Sequence, residues 1–255
     1  MRGLSAPEVL DLWERTECLG PVDCALALAA AAARGAGQGD GSDDVGALAA
    51  LPLGVRDALL LRLRCATFGR VLEARACCPR CGENVEFTVD GHALSELADR
   101  PLPTPAPLDV AGCRVTWRPV DSADLAAAGR AGDPGAAVLV LLSRCVTGAH
   151  DSAAQPQDLV NLPAQVRAAV AEAMAQGDPL AEILIDLSCP GCGTAFVSDL
   201  DIGAFVRAEL RGRALRLLHE VDVLARAYGW REHDVLGLSD ARRAAYLGMA
   251  IRRAP

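Results

Sequence analysis

The chain has 255 residues, 51% apolar and 23% charged, a balance that supports a packed core and excludes wholesale disorder. At this length roughly 70–75% of the unfolded surface can be buried, and with aromatics at only 4% the core must be filled by alanine, leucine and valine. A net charge of −8 argues against a nucleic-acid-coating surface, and no apolar run approaches the roughly 20 residues that span a bilayer.

Ser5, Pro7 and Glu8 read as an N-cap, an early-turn proline and a capping-box acid, predicting a helix through Val9, Leu12 and Trp13. Gly20-Pro21 ends it and starts a second helix over 22–34, rich in alanine. Residues 35–44 read as loop by composition. A third helix is expected over Val55 to Phe68, apolar around most of its circumference and therefore buried. The pattern then turns from helical to alternating. Val71, Leu72 and Ala74 lead into Cys78-Pro79-Arg80-Cys81-Gly82, and Val85, Phe87 and Val89 follow at period two, so a strand, a cysteine turn and a strand are predicted.

Alternate prolines over 100–109 predict an extended linker, and Cys113 to Trp117 one short strand. Asp121–Gly129, Ala136–Cys145 and Leu162–Ala175 read as helices. Ile183–Leu187, Cys189-Pro190-Gly191-Cys192-Gly193 and Thr194–Val197 then repeat strand, cysteine turn, strand. Beyond them Val206, Leu210, Ala214, Leu217, Val221 and Leu224 mark one buried helical stripe, Gly229 fits a helix C′ position, and Ser239 can cap a last helix. The fold class expected is α+β, mainly helical, with helical N- and C-terminal parts around a split four-cysteine zinc ribbon of short antiparallel strands. Its parts are 1–69 (N-terminal helices), 70–91 (first ribbon hairpin), 92–180 (linker and helical insertion with a short strand), 181–200 (second ribbon hairpin) and 201–255 (C-terminal helices).

Chemistry is concentrated in the cysteines. Ten of them, with Met1-Arg2-Gly3 leading into no secretory signal, are expected as metal ligands or buried thiols in a cytoplasmic protein. Cys-x-x-Cys lets one tight turn present two thiolates on one side, so Cys78, Cys81, Cys189 and Cys192 are the expected ligands of one structural Zn2+. The 107 residues between the two pairs are read as an insertion, because loop-closure entropy grows only logarithmically with length; half-sites completed by a partner chain are the alternative. A redox dithiol would place the pairs at helix N-termini, whereas strands follow both. Cys77 competes with Cys78 as ligand, but only Cys78 has the two-residue spacing to Cys81. The other six cysteines are expected in the core.

A four-thiolate site has no open position to activate water, and the four histidines are scattered. No catalytic residues, small-molecule substrate or membrane contact are therefore expected. His219-Glu220 and Glu232-His233-Asp234 read as hydrogen-bonded surface groups. Tyr228, Trp230 and Tyr246, with Arg242 and Arg243, form the candidate partner-binding set, since aromatics and arginine are enriched at binding hot spots; the alternative is that the rings pack the last helices together. Residues 201–255 carry ten arginines against seven acids, which motivates a second reading as a zinc-ribbon nucleic-acid-binding regulator.

Leu51 to Leu61, Thr67-Phe68-Gly69, the two Cys-Pro-x-Cys-Gly turns with Glu86-Phe87 after the first, and Leu224 to Trp230 through Arg242-Arg243 and Tyr246-Leu247 together form one pattern. It resembles the baseplate hub assembly proteins of T4-like contractile tails, found in phages and in extracellular contractile injection systems. The resemblance implies a non-enzymatic role, as an assembly chaperone or minor component of a baseplate, with baseplate or hub proteins as partners and a place in the cytoplasm or in a tail-like particle.

Overall fold

The computed structural model describes residues 1–35, 45–98, 105–157 and 162–253. Four helices open the chain: α1 Ala6–Thr16, α2 Pro21–Gly35, α3 Val45–Ala49 and α4 Leu53–Phe68. Glu8 reaches back to accept the Ser5 amide at 2.9 Å, half of the predicted capping box. The expected loop at 35–44 lies, beyond Gly35, outside the described residues. Hairpin β1 Val71–Cys77 with β2 Asn84–Asp90 follows, then α5 Gly91–Ala98.

Next comes a mixed unit: β3 Leu108–Val110, β4 Cys113–Trp117, α6 Ser122–Ala128, α7 Pro134–Cys145, β5 Val146–Asp151 and α8 Ala164–Gly177. Its strands form an antiparallel sheet in the order β3-β4-β5. A second hairpin, β6 Leu184–Ser188 with β7 Ala195–Asp199, leads into α9 Ile202–Tyr228, α10 Glu232–Leu236 and α11 Asp240–Arg253. The architecture is α+β and mainly helical.

The largest apolar cluster joins α1, α2, α4 and the first half of α9, with Leu60, Leu61, Ala29, Ala32 and Leu217 almost without exposure. Small alanines on α2 let α4 and α9 approach closely, which compensates for the shortage of aromatic volume. Leu72 of β1, Ile183 before β6 and Leu200 after β7 reach into the same cluster, so both hairpins are rooted in it. A second cluster holds Val115, Trp117, Leu142, Val146, Val166 and Val170 between the three-stranded sheet, α7 and α8. At about 1.5 Å per residue the 27-residue α9 is about 40 Å long, and its far half carries a separate small core of Leu224, Val235 and Ala250.

The N-terminus of α4 fastens the inserted unit to the helices. The Leu53 amide donates to the Val120 carbonyl at 2.9 Å, the Gly54 amide to Asp178 Oδ2 at 2.9 Å, and Arg56 Nη1 to Ser122 Oγ at 3.2 Å. Arg56 also pairs with Asp57 at 2.8 Å, both side chains buried. Helix α4 is therefore buried as its composition predicts, but it carries Arg56, Asp57 and Arg64 inward along with its leucines.

Three parts of the chain differ from expectation. Strand β5 falls between the expected helices Ala136–Cys145 and Leu162–Ala175, where no element is expected, and α7 passes directly into it at Cys145–Val146. Leu108–Val110, overlapping the end of the expected linker, pairs with Cys113–Val115 as β3; residues 100–104 lie outside the described residues. Short helices α3, α5 and α10, of five to eight residues, give too few turns for a periodic signal. Among the described residues no helix is long and apolar enough to cross a membrane.

Two buried charges are central. Arg64, its side chain 3% exposed, donates to both carboxylate oxygens of Glu209 on α9 at 2.7 Å, and to the carbonyls of Gly69 and Val71 at 2.6 and 2.8 Å. Replacing it by leucine strands those acceptors, and Arg64→Leu is expected to cost about 3–5 kcal/mol in a urea melt.

Asp124 is fully buried and accepts from Arg118 at 2.6 Å and Arg144 at 2.7 Å, tying β4 to α6 and α7. Burial alone would push its carboxyl up, but the bonds from Arg118, the Asp121 amide and Arg144 outweigh it and hold the carboxyl well below the usual carboxylate range. A depressed carboxyl stabilises the fold above its unfolded pKa of about 4, and that contribution is lost as pH falls toward the folded value. Asp124→Asn should accordingly lower stability at pH 7 and flatten the acid limb of a stability-versus-pH curve measured by chemical denaturation.

Candidate metal centre

The two cysteine turns are built alike. In the first, β1 and β2 pair up to Cys77 opposite Asn84, the Cys78 amide donates to the Glu83 carbonyl at 2.8 Å, and the Gly82 amide donates to the Cys78 carbonyl at 2.9 Å. In the second, pairing runs up to Ser188 opposite Ala195, the Cys189 amide donates to the Thr194 carbonyl at 3.0 Å, and the Gly193 amide to the Cys189 carbonyl at 2.9 Å. Gly82 and Gly193 sit at φ +75° and +69°, a backbone that only glycine adopts without cost, which accounts for glycine after each second cysteine.

These turns bring Cys78, Cys81, Cys189 and Cys192 together with all four sulfurs within 4.8 Å of one another. Two close approaches run between the hairpins: Cys78 Sγ to Cys192 Sγ is 3.7 Å and Cys81 Sγ to Cys189 Sγ 3.5 Å. A disulfide needs about 2.05 Å. Four thiolates about 2.3 Å from a tetrahedral ion stand about 3.8 Å apart, so the spacing matches a metal tetrahedron. Cys78 and Cys189 are buried, with Val85 and Phe196 packed against them, while Cys81 is exposed and Cys192 half-buried. Among the described residues no other group of metal-capable side chains converges.

The groups around the sulfurs tune the thiols unequally. The amides of Cys81 and Arg80 point at the Cys78 sulfur and lower its pKa, and the Thr194 hydroxyl, 3.3 Å from Cys192 Sγ, leads the interactions that bring Cys192 down to about 6. Cys81 feels the Glu83 amide, which favours its thiolate, but the crowding sulfurs of Cys189 and Cys192 override it and push the thiol up to about 12. Four thiolates can coexist at these distances only with positive charge between them. A donor set of four sulfurs, without oxygen or imidazole, fits a soft tetrahedral ion with no open position.

The remaining cysteines divide. Cys24 and Cys145 are buried and Cys65 and Cys113 half-buried, but Cys18 and Cys77 are exposed, correcting their expected place in the core. Cys18 lies in the turn after α1, and Cys77 alternates outward on β1, the face opposite to Leu72. His92 pairs with Glu96 at 3.2 Å and His233 with Asp234 at 3.0 Å, both largely exposed, and Glu220 is taken by Arg213 and Arg243.

Of the candidate partner-binding residues, Tyr228, Trp230 and Tyr246 form one aromatic cluster. Tyr228 stacks on Trp230 at 4.8 Å, and Tyr246 meets Trp230 edge-on at 4.8 Å and Tyr228 at 5.9 Å. The rings are half-buried and pack α9 on α11. Arg243 is 1% exposed and is spent on Glu220, Asp240 and the Leu238 carbonyl, whereas Arg242 faces outward. The residue that motif reading missed is Arg64; its only signal is an arginine in a helix that is apolar around most of its circumference.

Residues 39–205 match the family model described as T4 bacteriophage base plate protein. That is about two thirds of the chain, and the chain belongs to this family. The matched stretch contains both cysteine turns and stops in the first turn of α9, so the last helices, which carry part of the resemblance read from the sequence, lie outside it. Neither a comparison with curated proteins nor one with solved structures returned a match.

Proposed function

We propose that this protein is a non-enzymatic baseplate component or assembly chaperone of a phage-type contractile tail or contractile injection system, closed by one structural Zn2+ on Cys78, Cys81, Cys189 and Cys192. The observation that carries the reading is the family match across both cysteine turns, together with four sulfurs clustered at distances compatible with a metal ion. Bound there, the metal supplies cross-linking rather than reactivity. Tying together positions separated by 107 residues removes chain entropy worth about 4–5 kcal/mol by analogy with a disulfide closing such a loop.

The division into 1–69, 70–91, 92–180, 181–200 and 201–255 belongs to the same proposal. The two hairpins act as halves of one zinc ribbon, and the intervening unit is an insertion held by its own core. Cytoplasmic synthesis followed by docking on baseplate or hub proteins through the last helices completes it. Arg242 is the outward-facing member of the docking set, and Tyr228, Trp230, Tyr246 and Arg243 hold the surface in shape.

Two measurements test the reading. Chain purified without chelator should carry one zinc by mass spectrometry of the metal. Cys78→Ser and Cys189→Ser should each lose it and melt roughly 10 °C lower, and full metal content with an unchanged melt in either variant would remove the site. Tagged protein expressed with its neighbouring genes should co-purify tail or baseplate proteins, and their absence would remove the assembly role.

A further inference from the structure

The inserted unit and the helices keep separate cores, and the two meet at the start of α4. There the Leu53 amide donates to the Val120 carbonyl and Pro52 bridges to Asp121, while Asp178, just past the end of α8, lies over the first turn of α4. Asp178 is 3% exposed, and its two oxygens are used unequally. Oδ2 accepts the Gly54 amide at 2.9 Å, whereas Oδ1 is buried with no donor among the described residues. A Cβ on residue 54 would overlap Asp178 Oδ1, so glycine there is what lets the carboxyl close over the helix.

The buried charges of this joint do not balance if both of its carboxyls are ionised. Arg56 Nε donates to Asp57 Oδ1 at 2.8 Å and Nη1 to Ser122 Oγ at 3.2 Å, so Asp57 is its ion-pair partner. Asp178 has no hydrogen-bonded cation of its own among the described residues. Around them, Asp121 and Asp124 take Arg118 at 3.3 and 2.6 Å within the inserted unit. Asp201, before α9, caps the Ala204 amide at 2.9 Å and adds negative charge beside Asp57. A buried carboxylate oxygen with neither donor nor counter-ion is costly, and the neutral acid relieves that cost. In the acid, Oδ2 still accepts the amide, and Oδ1, at which no donor is aimed, carries the proton. Burial pushes the Asp178 carboxyl up, outweighing the Gly54 amide and the Arg56 charge, which favour the anion. Burial raises Asp57 as well, but there the direct bond from Arg56 opposes it.

We infer that Asp178 is protonated in the closed joint and that the attachment of the inserted unit to α4 is a proton-dependent latch, firm in mild acid and weaker as pH rises. Once the joint opens, the solvated carboxyl has an ordinary pKa of about 4 and loses a proton that the closed joint retains. Opening therefore releases a proton, and the open population rises with pH by up to about tenfold per unit, from about pH 4 until Asp178 ionises in the closed joint. Asp124, held low inside the inserted unit, acts in the opposite sense. The latch depends on neither the metal nor the baseplate role.

The test uses the full chain from pH 4.5 to 8.5, with curves compared only at pH values where the samples carry equal zinc. Carbon-13 NMR of aspartate carboxyls, assigned through backbone correlations, should show Asp178 titrating above the ordinary value of about 4. Hydrogen exchange at the Leu53 and Gly54 amides, corrected for the intrinsic rate, reads opening of the joint itself. Their protection should fall with pH, by up to about tenfold per unit, and level off at the Asp178 midpoint. In Asp178→Asn, a permanently neutral stand-in for the acid, protection should be flat with pH and, above that midpoint, exceed that of the unmodified chain. The two measurements on the unmodified chain decide the matter if the variant does not fold. An Asp178 midpoint at or below about 4, a raised midpoint on Asp57 in its place, protection independent of pH in the unmodified chain, or the same slope in Asp178→Asn would overturn the inference.

Discussion

One buried guanidinium organises the middle of this molecule. Arg64 sits in the helix that precedes the first hairpin, yet its partner Glu209 lies on the helix that follows the second, 145 residues away. Its remaining donors go to Gly69 and Val71, where the chain turns from helix to strand. A buried arginine is tolerable only when its donors are used, and here each acceptor comes from a segment whose position matters. The interaction therefore fixes where the first hairpin leaves the core relative to where α9 enters it. The second hairpin, rooted through Ile183 and Leu200, is positioned by the same core.

With the bases so fixed, the tips have little freedom. The identical backbone bonding of the two cysteine turns aims each pair of sulfurs toward the other, and the short cross-hairpin distances follow from rooting at one end and register along the strands. Each hairpin alone would present two cysteines and a half-exposed sheet. Together they bring the two cysteine pairs into one four-sulfur cluster. The inserted sheet and its helices keep their own core and attach at the start of α4. An insertion of this length can therefore be accommodated without disturbing the hairpins.

At the other end of α9, aromatic residues scarce in the rest of the chain gather into one cluster, and Arg243 is enclosed by acids from α9 and α11. The sequence marks these positions as unusual without saying which way they face. Arg242 and Arg243 are adjacent in the chain and about 100° apart around a helix, so one is solvated and the other buried. Composition treats them as equivalent; the helix separates them.

Local signals were enough to read the capped first helix, both hairpins and the four cysteines with their glycines, because each depends on residues within a few positions of one another. The buried stripe of α9 was legible for the same reason, since a period of 3.6 sustained over 27 residues leaves little ambiguity. Strand β5 was not legible, because its pairing with β4 lies 30 residues away and no breaker separates it from α7. Exposure of Cys18 and Cys77 was equally hidden, since a small thiol suits a core or a surface and only the neighbours decide. The sequence by itself determined which side chains can bind a soft ion and that strands flank them. Only the tertiary structure decided that the four sulfurs lie within 4.8 Å and that Arg64 joins the base of the first hairpin to α9. Those are distances between segments far apart in the chain, set by packing rather than by local preference.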